Sequence, residues 1–233
     1  MSNYNLDLDY ATPNIDVSEP ELKAIIAEAD IIILNGNLSS EEIALAYLKK
    51  AQCLQKIEQN TTINNDTQRL IKNLLERALE LSPDMPEALM QMGKWNHIQR
   101  NFSEALILYD RAIQLKPGYA AAFNNRGVTH VEIGDYRDNE EKAIADYTEA
   151  IRLRPFEAIY FFNRGLNFSR LGMNNEAIAD LSESIRLSTG LSGALFLRAL
   201  IYLSNGNKDK AKADFDEVLR RKKIKNNFHP ITI

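Results

Sequence analysis

Several residue types recur along this 233-residue chain at shared intervals, and this regularity constrains the fold more than any other feature. Glycine recurs at Gly93, Gly127 and Gly165, at intervals of 34 and 38 residues, and Ala199 follows after a further 34. An alanine series and a large apolar series four residues later recur at intervals of 34 or 38: Ala105, Ala143, Ala177 and Ala211, then Tyr109, Tyr147, Leu181 and Phe215. Because independent residue types share these intervals, the chain contains an internal repeat.

Each repeat has the pattern of two amphipathic helices joined by a turn. The repeats are numbered from position 1 at Pro86, Ala120, Ala158 and Ser192. Positions 4, 8 and 11 have the spacing of one helical face. Gly134, Gly172 and Gly206 stand at position 15, where a glycine C-cap ends the first helix. A single hairpin cannot bury its apolar face, so the pattern predicts that neighbouring hairpins stack.

The pattern resembles the tetratricopeptide repeat (TPR), whose 34-residue unit contains W-x2-L-G-x2-Y, then A-x3-F, then P. Position 4 holds Leu89, Phe123, Phe161 and Leu195. Pro117 and Pro155 match the terminal proline, and Thr189 replaces it in the following repeat. The resemblance covers residues 86 to about 222. It implies an all-α fold, a right-handed superhelical solenoid of antiparallel helix hairpins.

Capping patterns extend this organisation toward the N-terminus. Ser18 with Glu21 and Ser39 with Glu42 each form a capping box, which predicts a helix start. The predicted order is an extended or disordered arm (1–17), an N-terminal capping helix (18–36), a divergent repeat with a long internal loop (40–85), four TPRs (86–119, 120–157, 158–191 and 192–222) and a tail (223–233).

The repeat 120–157 contains four extra residues between Gly134 and Ala143. Four residues make about one helical turn, so we expect the second helix to begin one turn early with its packed face unchanged. A surface insertion is favoured over a partner contact at this place.

Two repeat positions change together along the chain. Positions 7 and 23 hold Met92 with Leu108 in the first clear repeat. In the next three repeats they hold an arginine with an aspartate: Arg126 with Asp146, Arg164 with Asp180 and Arg198 with Asp214. A guanidinium offers a carboxylate two parallel hydrogen bonds and tolerates partial burial when it is paired. We predict structural ion pairs that join the two helices of each repeat.

Catalytic and metal-binding patterns are missing from the sequence. The single cysteine, Cys53, forms no intramolecular disulfide, and His97, His130 and His229 have no ligand at metal-binding spacing. No phosphate-binding loop or nucleophile motif is present. The chain is therefore predicted to be no enzyme and to need no cofactor or metal.

Charge and hydropathy exclude further classes of partner. The net charge of −4 is unlike the basic footprint of nucleic-acid binding. No apolar run approaches the roughly 18 residues of a membrane helix, and the N-terminal residues lack a signal-peptide pattern. We expect no nucleic-acid binding, no membrane insertion and a cytoplasmic location.

The TPR resemblance implies a concave groove, formed by the inner faces of the first helices, that binds a protein or peptide. The candidate contact residues are Met90, Gln91, Lys94, Asn124, Asn125, Val128, Phe162, Asn163, Leu166, Arg170, Phe196 and Leu200. Asparagine amides suit the backbone of an extended peptide, and the aromatic side chains offer apolar contacts. The basic set that holds an acidic C-terminus in co-chaperone members is missing. The leading hypothesis is a non-catalytic adaptor or assembly scaffold.

Two alternatives remain open at this stage. The apolar end of the last repeat, with Phe196, Leu200 and Leu203, suggests a self-associating scaffold and a homodimer. The chain's own tail and N-terminal arm are further candidates to cover these residues. Self-coverage or dimerisation is weighed equally with a free partner site. The other alternative is a secretion-type chaperone, a class that the TPR family also includes.

Overall fold

The computed structural model describes residues 18–34, 38–58, 65–134, 137–188 and 190–227. The predicted segments that lie wholly or partly outside these ranges include the arm (1–17), residues 60–64 of the loop 60–65, and residues 228–233 of the tail. Every regular element of the described residues is an α-helix. The helices are α1 (Glu19–Leu34), α2 (Ser40–Glu58), α3 (Asn65–Leu81), α4 (Pro86–Ile98), α5 (Phe102–Leu115), α6 (Ala120–Ile133), α7 (Arg137–Leu153), α8 (Ala158–Arg170), α9 (Asn174–Leu187), α10 (Ser192–Ser204) and α11 (Lys208–Asn227).

The chain divides into two compact units, with the boundary between Thr129 and His130 inside α6. In the first unit, α2 pairs with α3 and α4 pairs with α5. Both capping boxes form: the Ser18 backbone N donates to Glu21 Oε2 at 2.7 Å, and the Ser39 backbone N donates to Glu42 Oε2 at 2.9 Å. Each carboxylate thus accepts an N–H that the helix itself leaves without a partner.

The core of the first unit lies between successive helices. Leu48 and Ala51 of α2 pack with Ile71 and Leu75 of α3, and Met92 of α4 joins the same cluster. A second cluster joins α4, α5 and the start of α6 around the fully buried Tyr109 ring. The two clusters share the intervening helix, as expected for hairpins that bury their faces against neighbours.

Close approach between α4 and α5 depends on the glycine at position 8. A Cβ atom on Gly93 would lie 2.7 Å from Tyr109 Cε1. In the second unit, a Cβ on Gly165 would lie 3.1 Å from Leu181 Cγ. Two repeat positions of the sequence pattern therefore meet across each hairpin, because a side chain at position 8 would occupy the space of the large apolar residue.

Position 15 has a positive φ angle in each described repeat from Pro86 onward. Gly172 and Gly206 have φ values of 74° and 75°. In the repeat 86–119 the same position is Arg100, with φ of 62°. The turn therefore requires left-handed backbone whichever residue occupies it, and glycine adopts that conformation without steric strain.

The second unit contains α7 to α11, with hairpins formed by α8 with α9 and by α10 with α11. Helix α7 has 17 residues, against 14 in α9, and starts six residues before Ala143. In α9 the start precedes the equivalent Ala177 by three residues. The extra residues thus extend the N-terminal end of α7 by about one turn, as expected.

Helix α11 continues to Asn227, five residues beyond the repeat end predicted at residue 222. The segment predicted as a tail therefore begins as helix. Its sequence, rich in lysine, has good helix propensity, and cations near a helix C-terminus interact favourably with the helix dipole.

Candidate protein-interaction surface

The arginines at position 7 of the second unit form bidentate ion pairs within their hairpins. Arg164 Nε and Nη2 lie 2.7 and 2.9 Å from the two carboxylate oxygens of Asp180. The corresponding distances from Arg198 to Asp214 are 2.8 and 2.7 Å. Both carboxylates are 9% exposed, and the hydrogen bond to Asp214 raises the pKa of Arg198 while burial opposes this shift. The pairs join the first and second helices of their repeats.

A third contact of these arginines was missed by the sequence analysis. Arg164 Nη1 donates to Thr148 Oγ1 at 3.0 Å, and Arg198 Nη1 donates to Ser182 Oγ at 2.8 Å. Thr148 and Ser182 belong to the second helix of the preceding repeat, so each arginine also links two hairpins. Thr148 and Ser182 both occupy repeat position 25 when the four-residue insertion is discounted. The recurrence of a polar residue at this position is the sequence signal from which the contact could have been predicted.

The first unit has the same position-25 contact. Arg126 Nη1 lies 2.6 Å from Asp110 Oδ1, and Asp110 stands at position 25 of the repeat 86–119. Met92 at position 7 is buried, and Leu108 at position 23 packs against the same cluster. In this repeat, apolar packing therefore takes the place of the ion pair. Asp146 lies in the second unit, where its Oδ2 is 4.0 Å from His130 Nε2.

The six predicted groove residues of the first unit are between 0 and 5% exposed: Met90, Gln91, Lys94, Asn124, Asn125 and Val128. Asn124 Nδ2 donates to Asn125 Oδ1 at 3.2 Å, and Asn125 Nδ2 donates to Met90 Sδ at 3.5 Å. Gln91 Oε1 is buried without a hydrogen-bond partner. These side chains present almost no accessible surface to a partner.

Helix α8, the first helix of the repeat 158–191, is similarly covered at three of its four predicted groove residues. Phe162, Asn163 and Leu166 are buried. Arg170 is exposed, and its Nη2 lies 3.1 Å from Oε1 of the buried Glu140. The predicted groove residues of α8 therefore contribute mainly to packing.

Most described residues of the inserted stretch 137–142 are exposed, as expected of a surface insertion, but its Glu140 is buried. It lies in the extra turn of α7, its backbone oxygen accepts from Asn167 Nδ2 at 3.0 Å, and its carboxylate pairs with Arg170. Glu140 thus makes an internal contact of the second unit. Its buried glutamate is visible only in the folded chain, because the local sequence is strongly polar throughout.

Three apolar side chains on α10 remain accessible. Phe196, Leu200 and Leu203 are 50%, 43% and 45% exposed, and their spacing of four and three residues places them on one helical face. The Phe196 ring also lies edge-on to Phe215, with 5.7 Å between ring centroids. We call Phe196, Leu200 and Leu203 the α10 row. It contains two of the three predicted groove residues that are exposed, and the third is Arg170.

Metal sites and membrane spans each require a recognisable geometry. Among the described residues, no three His, Cys, Asp or Glu side chains gather as a metal ion requires. None of the described helices combines the length and apolar content needed to cross a bilayer.

Comparison with known families agrees with the hairpin geometry. Two tetratricopeptide-repeat family models match the sequence, one over residues 72–120 and the other over residues 192–224. The chain is a tetratricopeptide-repeat protein. The predicted family and the predicted all-α solenoid class are thereby confirmed, since solved TPR structures also have this fold.

Three solved structures illustrate the likeness of this TPR protein to others. MamA is 20% identical with a TM-score of 0.63, over 74% of this chain and 96% of that one. TTC0263, a thermophilic TPR protein in Thermus thermophilus, is 23% identical with a TM-score of 0.60, over 76% and 90%. YrrB, described as a TPR protein with an unusual peptide-binding site, is 17% identical with a TM-score of 0.57, over 87% and 93%.

At these identities the likeness is one of fold. No curated protein sequence matches the TPR protein significantly. Proteins built from TPRs are interaction modules, since stacked repeats create extended binding surfaces.

Proposed function

We propose that this TPR protein is a non-catalytic adaptor or assembly scaffold that holds a protein segment against the inner faces of its first helices. The accessible apolar part of this surface is the α10 row. The observation that supports it is the exposure of Phe196 and Leu200, in contrast to the burial of their counterparts on α8. Large apolar side chains gain free energy when a partner removes them from water.

The chemistry of the α10 row favours an apolar partner segment. The row contains no charged side chain, and Arg198 on the same helix is already paired with Asp214. A partner recognised by its charge would find no counter-ion there. The description of YrrB as having a peptide-binding site is consistent with segment binding by this fold.

Site-specific photo-crosslinking tests the proposal. Phe196 is replaced by benzoylphenylalanine, and the matched control carries the same group at Phe156, which is exposed in the same unit but lies between α7 and α8. Irradiation in the native lysate should give a defined protein adduct at position 196, competed by unmodified protein. Equal adduct yields at the two positions, or no adduct at position 196, would contradict the proposal.

Self-association is a second candidate, favoured by the same three apolar side chains. In a homodimer, two α10 rows would cover one another. Light scattering after size exclusion measures the mass, which is 26.5 kDa for the monomer. A dimer that dissociates in Leu200→Asp and persists in Phe156→Asp supports this candidate, whereas a monomeric wild type excludes it.

A further inference from the structure

We propose that the α10 row binds an amphipathic helix of a protein partner, which packs as the first helix of one more repeat would and places a glycine or alanine against Phe196. This inference rests on the proposed function and names the class of partner. The α10 row occupies repeat positions 5, 9 and 12, so the contacts that these positions make in earlier repeats are templates for its occupant.

The first unit shows what positions 5 and 12 contact. Met90, at position 5 of α4, accepts a hydrogen bond from Asn125 of α6. His97, at position 12 of α4, has its Nδ1 2.8 Å from Thr129 Oγ1 of α6. Both contacts are made to the first helix of the next repeat. Positions 5 and 12 therefore form a helix-stacking face.

The second unit repeats this arrangement at position 5. A Cβ atom on Gly193 of α10 would lie 3.6 Å from Cε2 and Cζ of Phe162 on α8. The next first helix therefore packs directly on the aromatic ring, at a place where its residue is small. In the first unit the same repeat position is Ala121, which is buried in one cluster with Met90.

The α10 row is this stacking face in the last described repeat. Phe196 corresponds to Phe162, yet it is half exposed while Phe162 is buried. Since position 5 receives a first helix in both units, and position 12 does so in the first unit, continuity of this interface indicates that a helix is the natural occupant of the row.

The template also defines the register of the occupant. On α6, contacts to α4 come from Ala121, Asn125 and Thr129, at intervals of four residues. An occupant of the α10 row should therefore have a small residue followed by contact residues four and eight positions later. These two should be apolar, because Phe196, Leu200 and Leu203 offer no polar side-chain atom to satisfy a buried amide or hydroxyl.

A second copy of α10 fits this template poorly. Its exposed row has only large residues, so two facing rows would set Phe and Leu against Phe and Leu. The small residue at position 2 of α10, Gly193, faces Phe162, and a Cβ there would lie 3.6 Å from that ring. The size complementarity therefore favours a different helix.

The test uses a synthetic fluorescein-labelled peptide of about 18 residues, long enough to form a helix on binding. It has alanine at one position and leucine four and eight residues later, with lysine, glutamate and glutamine elsewhere. One control peptide has the same composition with the leucines moved off the shared face. Another has leucine in place of the alanine.

We expect saturable binding of the designed peptide by fluorescence anisotropy. Affinity should fall about tenfold or more for Phe196→Ser and for Leu203→Ser, and should be unchanged for Phe156→Ser. The peptide with leucine at the small position should also bind about tenfold more weakly, because the larger side chain meets Phe196. Thermal unfolding of each variant separates loss of the site from loss of the fold, and two row variants guard against one failing to fold.

The outcomes separate the inference from the proposed function. No saturable binding, or binding that ignores both row variants, overturns the helix proposal. If crosslinking at position 196 still yields a specific adduct, the proposed function stands and only the partner class is wrong. A wild-type dimer that Leu203→Ser dissociates assigns the row to a second copy and also overturns the helix proposal.

Discussion

Exchange of the Arg164–Asp180 pair for apolar residues should show a large coupling free energy. The chain itself supplies the replacement, since the repeat 86–119 has Met92 and Leu108 at the corresponding positions. We predict that Arg164→Met and Asp180→Leu each destabilise the second unit. The double variant should have nearly the stability of the wild type.

The magnitudes follow from burial. Arg164→Met removes both hydrogen bonds of a carboxylate that is 9% exposed, so the free energy of unfolding should fall by about 3 kcal/mol. In a chain of this size that corresponds to a melting temperature lower by about 6 to 12 °C. Asp180→Leu should cost about 2 kcal/mol, because the guanidinium keeps its contact with Thr148. With both charges gone, the double variant should lie within about 1 kcal/mol of the wild type.

Urea unfolding, followed by far-ultraviolet circular dichroism, measures the four members of the cycle. The same exchange at Arg198 and Asp214 is a matched replicate, because its geometry is nearly identical. The reasoning is refuted if the double variant is as unstable as the sum of the single ones. It is also refuted if Arg164→Met changes the free energy of unfolding by less than about 0.5 kcal/mol.

Four further substitutions test three other features by urea unfolding. Gly93→Ala should lower the free energy of unfolding by about 2 kcal/mol, because its Cβ would lie 2.7 Å from Tyr109 Cε1. The control Gly193→Ala, whose Cβ would lie 3.6 Å from its nearest neighbour, should leave the free energy of unfolding unchanged or higher. Equal losses in the two variants would contradict this reasoning. Arg100→Gly should raise the free energy of unfolding by about 1 kcal/mol by relieving left-handed backbone, and a loss would show that the arginine side chain matters more. Gln91→Met should raise it by about 1 kcal/mol, since Gln91 Oε1 is buried without a partner; a lower value would indicate that the amide is satisfied in solution.

Much of the fold could be predicted from the repeat period. Positions 8 and 15 have steric requirements that limit the choice of residue, so Gly165 and Gly172 identify a close helix approach and a turn without knowledge of the rest of the chain. The pairing of Arg164 with Asp180 was also predictable, because charges at two positions changed together between repeats.

The accessible surface was less predictable. Asn125 and Asn163 stand at positions that the TPR resemblance assigns to a groove, yet both are fully buried. Solvent exposure depends on every element that packs around a residue, and the repeat pattern describes only the residue's place on its own helix. Phe196 and Phe162 illustrate this, since the same position is open in one repeat and covered in the other.

Local periodicity thus defines the helices, their order and the residues that meet within a hairpin, because helix geometry places residues three or four apart on one face. Packing between hairpins decides the remaining features. Glu140 is buried because α8 presents Asn167 and Arg170 to the inserted turn of α7. The α10 row is exposed because no described helix packs on it. On α8, by contrast, α10 packs against Phe162, which is the equivalent of Phe196. These contacts join residues distant in sequence, so no local pattern encodes them.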